Sequence, residues 1–173
     1  MSDAGKCLLS MRRLQPGRTH DRAAAEALFG MDTVPSLDVE LAKLHTLGLA
    51  MVGQTSVSGA KRKLSLGLDN DRGVLRLQAG GRQYILKPKT DRFPALPESE
   101  QVAMAMANAC GIEVAPNGLI RLVDGSVAFI TLRFDRDGHG RKHRMEDFCQ
   151  LAERHPAEKY RGSAELCVRL VQR

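Results

Sequence analysis

Between residues 51 and 132 the apolar positions tend to repeat every second residue. Leu64, Leu66 and Leu68 alternate with Lys63, Ser65 and Gly67, which predicts a half-buried strand. The turn sequence DNDRG (69–73) follows, then a second strand in VLRLQ (74–78), a second turn in AGGR (79–82) and a third strand in QYILK (83–87). Pro88 and Pro94 mark a loop. Leu96-Pro97-Glu98 opens a helix, because proline suits the first helical turn and an acid there complements the dipole. Val102, Ala103, Met106, Ala109 and Cys110 share one face of that helix, the predicted buried side, and Gly111 suits its end. GLIRLV (118–123) and VAFITL (127–132) predict two further strands around an Asp124-Gly125-Ser126 turn.

The flanks carry helical rather than alternating patterns. CLLSMRRL (7–14) is a short strand or a loop, and Ala23 to Phe29 is a helical run ended by Gly30. Leu37, Leu41 and Leu44 recur at helical spacing after Ser36, a candidate N-cap. Beyond Arg133 the chain turns polar and basic. MEDFCQLAE (145–153) and AELCVRLVQ (164–172) then predict two helices with KYRGS (159–163) as a loop between them. Three sections result: an N-terminal extension over 1–50, a sheet-and-helix domain over 51–136, and a connecting segment over 137–173 that begins a further lobe. Leu166, Leu170 and Val171 form an apolar stripe on the last helix, from which a partner surface outside the chain is expected.

Composition adds little until charge is considered. The 173 residues are 43% hydrophobic, ordinary for a globular domain, and no apolar run is long enough to span a membrane. No apolar leader precedes the first polar residues, and Cys7, Cys110, Cys149 and Cys167 are too scattered for a metal knuckle or a disulfide framework, which together point to a cytoplasmic protein with reduced thiols. The formal net charge is +6, and residues 61–92 hold nine Lys and Arg against three Asp. That excess fits an anion site or a solvated sheet face.

Three constellations carry candidate chemistry. TSVSGAKRK (55–63) places small hydroxyl residues, a glycine and cations just before a strand, where backbone N–H groups can approach phosphate oxygens; an ordinary Ser/Gly turn has the same composition. Lys87 ends the third strand, as either a phosphate-neutralising lysine or an exposed strand-end cation. Glu98 and Glu100 open the helix, and either could pair with Lys87 or compensate the dipole; helical geometry puts Glu98 nearer the apolar face. His139 and His143 are spaced four apart, but Gly138 and Gly140 oppose a helical metal pair, so no metal site is expected. The order of three strands, one helix and two strands is the layout of a protein-kinase small lobe. The expected fold is therefore α+β: a kinase-like N-lobe of antiparallel sheet plus helix, a small helical N-terminal section and the truncated start of a C-lobe.

The motifs SVSGAKRKLSL (56–66), ILKPK (85–89), FPALPESEQ (93–101), LRFDR (132–136), EDFCQL (146–151) and KYRGS (159–163) resemble, in order, landmarks of the HipA family of toxin kinases, and the short N-terminal section is closer to the HipT type. The resemblance implies a Ser/Thr kinase of a toxin–antitoxin system. It implies ATP binding by Ser56, Ser58, Gly59, Lys63, Lys87, Glu100, Leu132 and Phe134, the last two at the adenine hinge. It also implies autophosphorylation at Ser56 and Ser58, and HipB-like and HipS-like antitoxin partners. An aminoacyl-tRNA synthetase is implied as substrate. Lys61 stands where many members have Gln. The catalytic Asp and the magnesium-holding Asn and Asp of phosphoryl transfer fall downstream of KYRGS in the family and have no counterpart here. The chain alone is therefore expected to be inactive, with its Mg2+ ligands elsewhere. The competing expectation is a non-catalytic interaction module for antitoxin proteins or a separate lobe. Direct nucleic-acid binding is disfavoured, because few aromatics interleave the cations and no helix-turn-helix, RRM or KH pattern occurs.

Overall fold

A computed structural model describes residues 5–50, 63–77, 83–137 and 141–172. The side chains of residue 45 and residues 47–50 lie outside that description, as does the 51–62 segment that holds Ser56, Ser58 and Gly59. The chain divides into two compact units, Met1–Phe134 and Asp135–Arg173. The fold is α+β, built on a five-stranded antiparallel sheet with a few helices. Among the described residues no helix is long and apolar enough to cross a membrane.

In the first unit the alternating segments become β1 (Leu64–Asp69), β2 (Val74–Leu77), β3 (Tyr84–Pro88), β4 (Asn117–Arg121) and β5 (Val127–Leu132), in the spatial order β2-β1-β3-β5-β4. Leu64 lies opposite Leu86, Leu66 opposite Tyr84, and Leu86 opposite Ile130, so the period of two puts these side chains on one face. That face meets the N-terminal section. Leu28 and Phe29 of α1 (Arg22–Phe29), Leu44 of α2 (Leu41–Ala50), and Cys7, Leu9 and Leu37 join one core with the sheet residues. Asp21 caps α1 and Gly30 ends it at φ +71°, where a glycine costs least.

Residues 7–14 take the loop of the two expected alternatives, closed by the isolated Lys6–Arg13 bridge. Several elements differ from the pattern's expectation. Ser36 does not cap α2. Its N–H donates to the Gly73 carbonyl at 3.0 Å and its carbonyl accepts from Leu75 N–H at 2.8 Å, so the segment runs extended along the β2 edge. The helix begins at Leu41, whose N–H donates to the Asp124 carboxylate 83 residues away, at 3.2 Å. The other sheet edge is covered likewise, with Leu119 N–H donating to the Leu8 carbonyl at 2.9 Å. Here Gly118 admits the loop: a Cβ at this position would stand 2.9 Å from the Leu9 Cα. Pro88 ends β3 opposite Ala128 instead of starting the loop.

The helix between β3 and β4, α3 (Leu96–Ala109), turns the opposite way to the prediction. Its buried residues are Pro97 and Gln101, whereas Val102 and Met106 are exposed. Gln101 sets that rotation by donating from Nε2 to the Leu9 carbonyl at 3.0 Å. A buried amide needs such a partner more than a valine needs burial. Ser65, expected on a solvent side, is buried under the opposite sheet face.

The second unit contains α4 (Phe148–Leu151), a 3-10 turn (Pro156–Glu158) and α5 (Ala164–Val171). α4 is shorter than the predicted 145–153 because Asp147 adopts an extended N-cap conformation and forms a capping box with Gln150. Asp147 also pairs with Lys159 at 2.7 Å, which holds its carboxyl below the ordinary aspartate range, the Lys159 hydrogen bond being the largest cause. On α5, Val171 is exposed and Leu166 and Leu170 are half-buried.

Candidate functional site

The site lies on the sheet face opposite the N-terminal section. Along β3 the alternation that buries Tyr84, Leu86 and Pro88 sends Ile85 and Lys87 to the other side. Across β5, Lys87 lies opposite Phe129, and Lys87 Nζ stands 5.3 Å from the centre of its ring. Phe129 is wholly buried, so the lysine rests on a fixed aromatic face, a cation–π contact. The ammonium is also hydrogen-bonded and ion-paired to Glu100 of α3. Both partners keep about a fifth of their side-chain surface, 22% and 23%. The pair is thus largely shielded from bulk water without being fully buried.

Glu100, and not the exposed Glu98, makes this pair. The reason is the rotation of α3: with Pro97 and Gln101 against the body of the domain, Glu100 shares their side. Lys63 precedes β1. Continuing the β1–β3 register by one residue, from Leu64 opposite Leu86, sets Lys63 opposite Lys87. Two cations from neighbouring strands therefore come to the same end of the sheet, just after the 51–62 segment. Ser65 follows on that face; it is 1% exposed, and its hydroxyl has no hydrogen-bond partner among the described residues.

At the far end of β5, Leu132 is half-buried and its backbone is committed. Its N–H donates to the Pro116 carbonyl at 2.9 Å, and its carbonyl accepts from the Thr131 hydroxyl at 3.3 Å. The next N–H, of Arg133, donates to Gln83 at 2.7 Å. Phe134 then leaves the sheet with its side chain 75% exposed. Of the eight residues expected at the site, Lys87 and Glu100 are joined, Lys63 is in register with them, and Leu132 and Phe134 lie at the opposite end of the strands. Ser56, Ser58 and Gly59 fall outside the described residues. Sequence reasoning missed Phe129 and Ser65. Phe129 was visible only as one more apolar residue of VAFITL, and its place under Lys87 follows from the register.

An α+β domain with a strand lysine paired to the following helix's glutamate is the class that fold and site define. Residues 55–173 match the family described as the HipA-like C-terminal domain, and the chain belongs to that family. It is 37% identical over 109 residues to a Sinorhizobium fredii protein named "Putative kinase Y4mE", a stretch covering 61% of this chain and 26% of that protein. It is 35% identical over 86 residues to a Haemophilus influenzae protein named "Putative kinase", covering 47% and 24% respectively. The chain thus spans about a quarter of the length of the curated relatives it matches.

Proposed function

We infer that residues 51–134 are the nucleotide-facing N-lobe of a HipA-like Ser/Thr toxin kinase. The Lys87–Glu100 pair carries this reading, because a strand lysine tied to a helix glutamate is the device that positions nucleotide phosphates in protein kinases. In this reading Lys87 neutralises the α/β-phosphates, Glu100 and the Phe129 ring hold its ammonium in place, and Lys63 adds charge beside it. Ser56, Ser58 and Gly59 are assigned to contact the phosphates, and phosphorylation of Ser56 or Ser58 would set a dianion against them. Because the Leu132 N–H and carbonyl are engaged and its side chain packs with the core on the other sheet face, adenine packs on the Phe134 ring and takes its backbone hydrogen bonds beyond Arg133.

ATP supplies the phosphoryl group and Mg2+ the charge neutralisation of the transfer. Among the described residues no group of three or more His, Cys, Asp or Glu is placed to hold a metal. We assign the magnesium ligands and the catalytic Asp to polypeptide outside these 173 residues. Half a cleft binds nucleotide weakly, with a Kd of about 1 mM or above. Titration with a non-hydrolysable ATP analogue, followed by amide NMR, should shift Ile85, Lys87 and residues 129–134, and Lys87→Ala should abolish those shifts. Shifts confined to other regions would refute the assignment.

The exposed Val102 and Met106 of α3 favour a second reading, an interaction module that binds HipB-like or HipS-like proteins through that face. Capture of such a protein by the chain, lost in Val102→Lys/Met106→Lys while nucleotide shifts are absent, would select it.

A further inference from the structure

A cavity of about 290 Å3 lies far along the chain from Lys87, between the 7–14 loop and the start of α1. Arg12, Arg13, Arg18 and Arg22 line it, with Asp21 as the sole acid in its wall. Like charges repel, so a fold that draws four arginines into the wall of one cavity concentrates positive charge there. The available counter-charges do not balance it. Asp21 caps α1, accepting from Ala24 N–H at 3.3 Å, and its attraction to Arg12 offsets one of the four cations. Asp32 pairs with Arg22, at 3.7 Å. Among the described residues no carboxylate lies within ion-pair distance of Arg12, Arg13 or Arg18.

The walls are built rather than loose. Cys7 N–H donates to the Arg12 carbonyl at 2.8 Å and Met11 N–H to the Cys7 carbonyl at 2.9 Å, which closes the loop through Met11 at φ +60°. A non-glycine residue in the left-handed region persists where its surroundings demand it. His20 is fixed between the Asp32 carbonyl, 2.7 Å from Nε2, and the Thr19 hydroxyl, 3.0 Å from Nδ1. Burial pushes the Cys7 thiol up, but hydrogen bonds from the Ser10 and Asp21 backbone and the Ser10 side chain outweigh it and leave the thiol below its ordinary value. Asp21 N–H stands 3.2 Å from the Cys7 sulfur.

We propose that this cavity is a binding site for a phosphomonoester, held by Arg12, Arg13 and Arg18. Arginine forks meet tetrahedral oxyanions bidentately, and several of them suit a dianion with three terminal oxygens better than a carboxylate, which one guanidinium can satisfy. Leu14 and Ala23 in the same wall receive the ester's organic part. The site is independent of the nucleotide reading and shares no residue with it.

The test uses the whole chain at constant ionic strength, because surface charge is screened by salt. Inorganic phosphate and glycerol 3-phosphate are titrated against amide NMR shifts, with acetate and oligothymidylate as the carboxylate and phosphodiester arms. The expected result is saturable shifts in residues 7–23 for both phosphates, tighter for the ester and absent for acetate. Arg12→Gln/Arg18→Gln should weaken that binding about tenfold or more. Both side chains are exposed, and an unchanged amide spectrum elsewhere establishes that the variant folds. Lys87→Ala should leave phosphate affinity at this site unchanged. Equal response to acetate, shifts centred elsewhere, or unchanged affinity in the double variant would each overturn the proposal. Tighter binding of oligothymidylate at equal phosphate concentration would also overturn it, assigning the surface to a nucleic acid.

Discussion

Neutralising one half of the Lys87–Glu100 pair tests how far the site depends on it. Glu100→Gln keeps the side chain's shape and a neutral acceptor but leaves the ammonium without its counter-charge. Exposed ion pairs contribute about 0–1 kcal/mol, whereas breaking a buried one costs about 3–5 kcal/mol. With 22% and 23% of their side-chain surface open, these partners sit between those limits. Phe129 offsets part of the loss, since a ring face stabilises a cation by about 0.5–2 kcal/mol. A destabilisation of about 1.5 kcal/mol follows for Glu100→Gln, or a fall in Tm of roughly 3–6 °C for a unit of this size. Lys87→Met removes the cation and should cost a similar amount. If the two act through each other, the double variant should be less destabilised than the sum of the singles, with a coupling of about 1 kcal/mol. Urea unfolding of the four proteins measures the cycle. Strict additivity would mean that the pair is a surface contact and does not fix Lys87 in place.

Two further outcomes follow from contacts at the sheet's edge. Gly118→Val should destabilise the first unit by about 1–3 kcal/mol, because the new side chain meets Leu9 backbone that cannot turn aside; unchanged denaturant midpoints would refute the close approach. Asp124 is held below the ordinary aspartate range, first by the Ser126 hydroxyl and then by the Ser126 N–H. A lowered folded-state value means its contribution is present above the unfolded value, about 3.9, and is lost as pH falls through the folded one. The stability gap between the wild type and Asp124→Asn should therefore be constant near neutrality and close in acid. A gap that persists at low pH would show that the carboxylate's charge is irrelevant there.

The strands were legible because their signals are local. Alternation, turn residues and the Asp124-Gly125-Ser126 hairpin act within a few positions, and β1 to β5 follow them closely. Legibility failed where a distant group decided the outcome. The apolar count of α3 favours burying Val102 and Met106, yet the Leu9 carbonyl draws Gln101 inward and turns that stripe to the outside. The same rotation selects Glu100 over Glu98, which helical geometry alone had ranked the other way. Ser36 is a plausible cap by type, but the β2 edge claims its backbone, and Asp124 takes over the start of α2. Phe129 could be read as core from sequence; its role beneath Lys87 needed the strand register.

The core shared by the N-terminal section and the sheet separates two boundaries that are easily equated. The family match begins at residue 55, but the sheet's Leu64, Leu66, Tyr84, Leu86 and Ile130 are covered by Leu9, Leu28, Phe29, Leu37 and Leu44. A cut made at the homology boundary would strip that cover and open a contiguous apolar face, each large side chain losing about 1.5–3 kcal/mol of burial. Such a fragment would keep all the residues of the family match and lose stability. The residues matched by the family model therefore omit part of the core that covers the sheet, and a version that keeps that core has to be drawn from Cys7, far upstream of the first family motif.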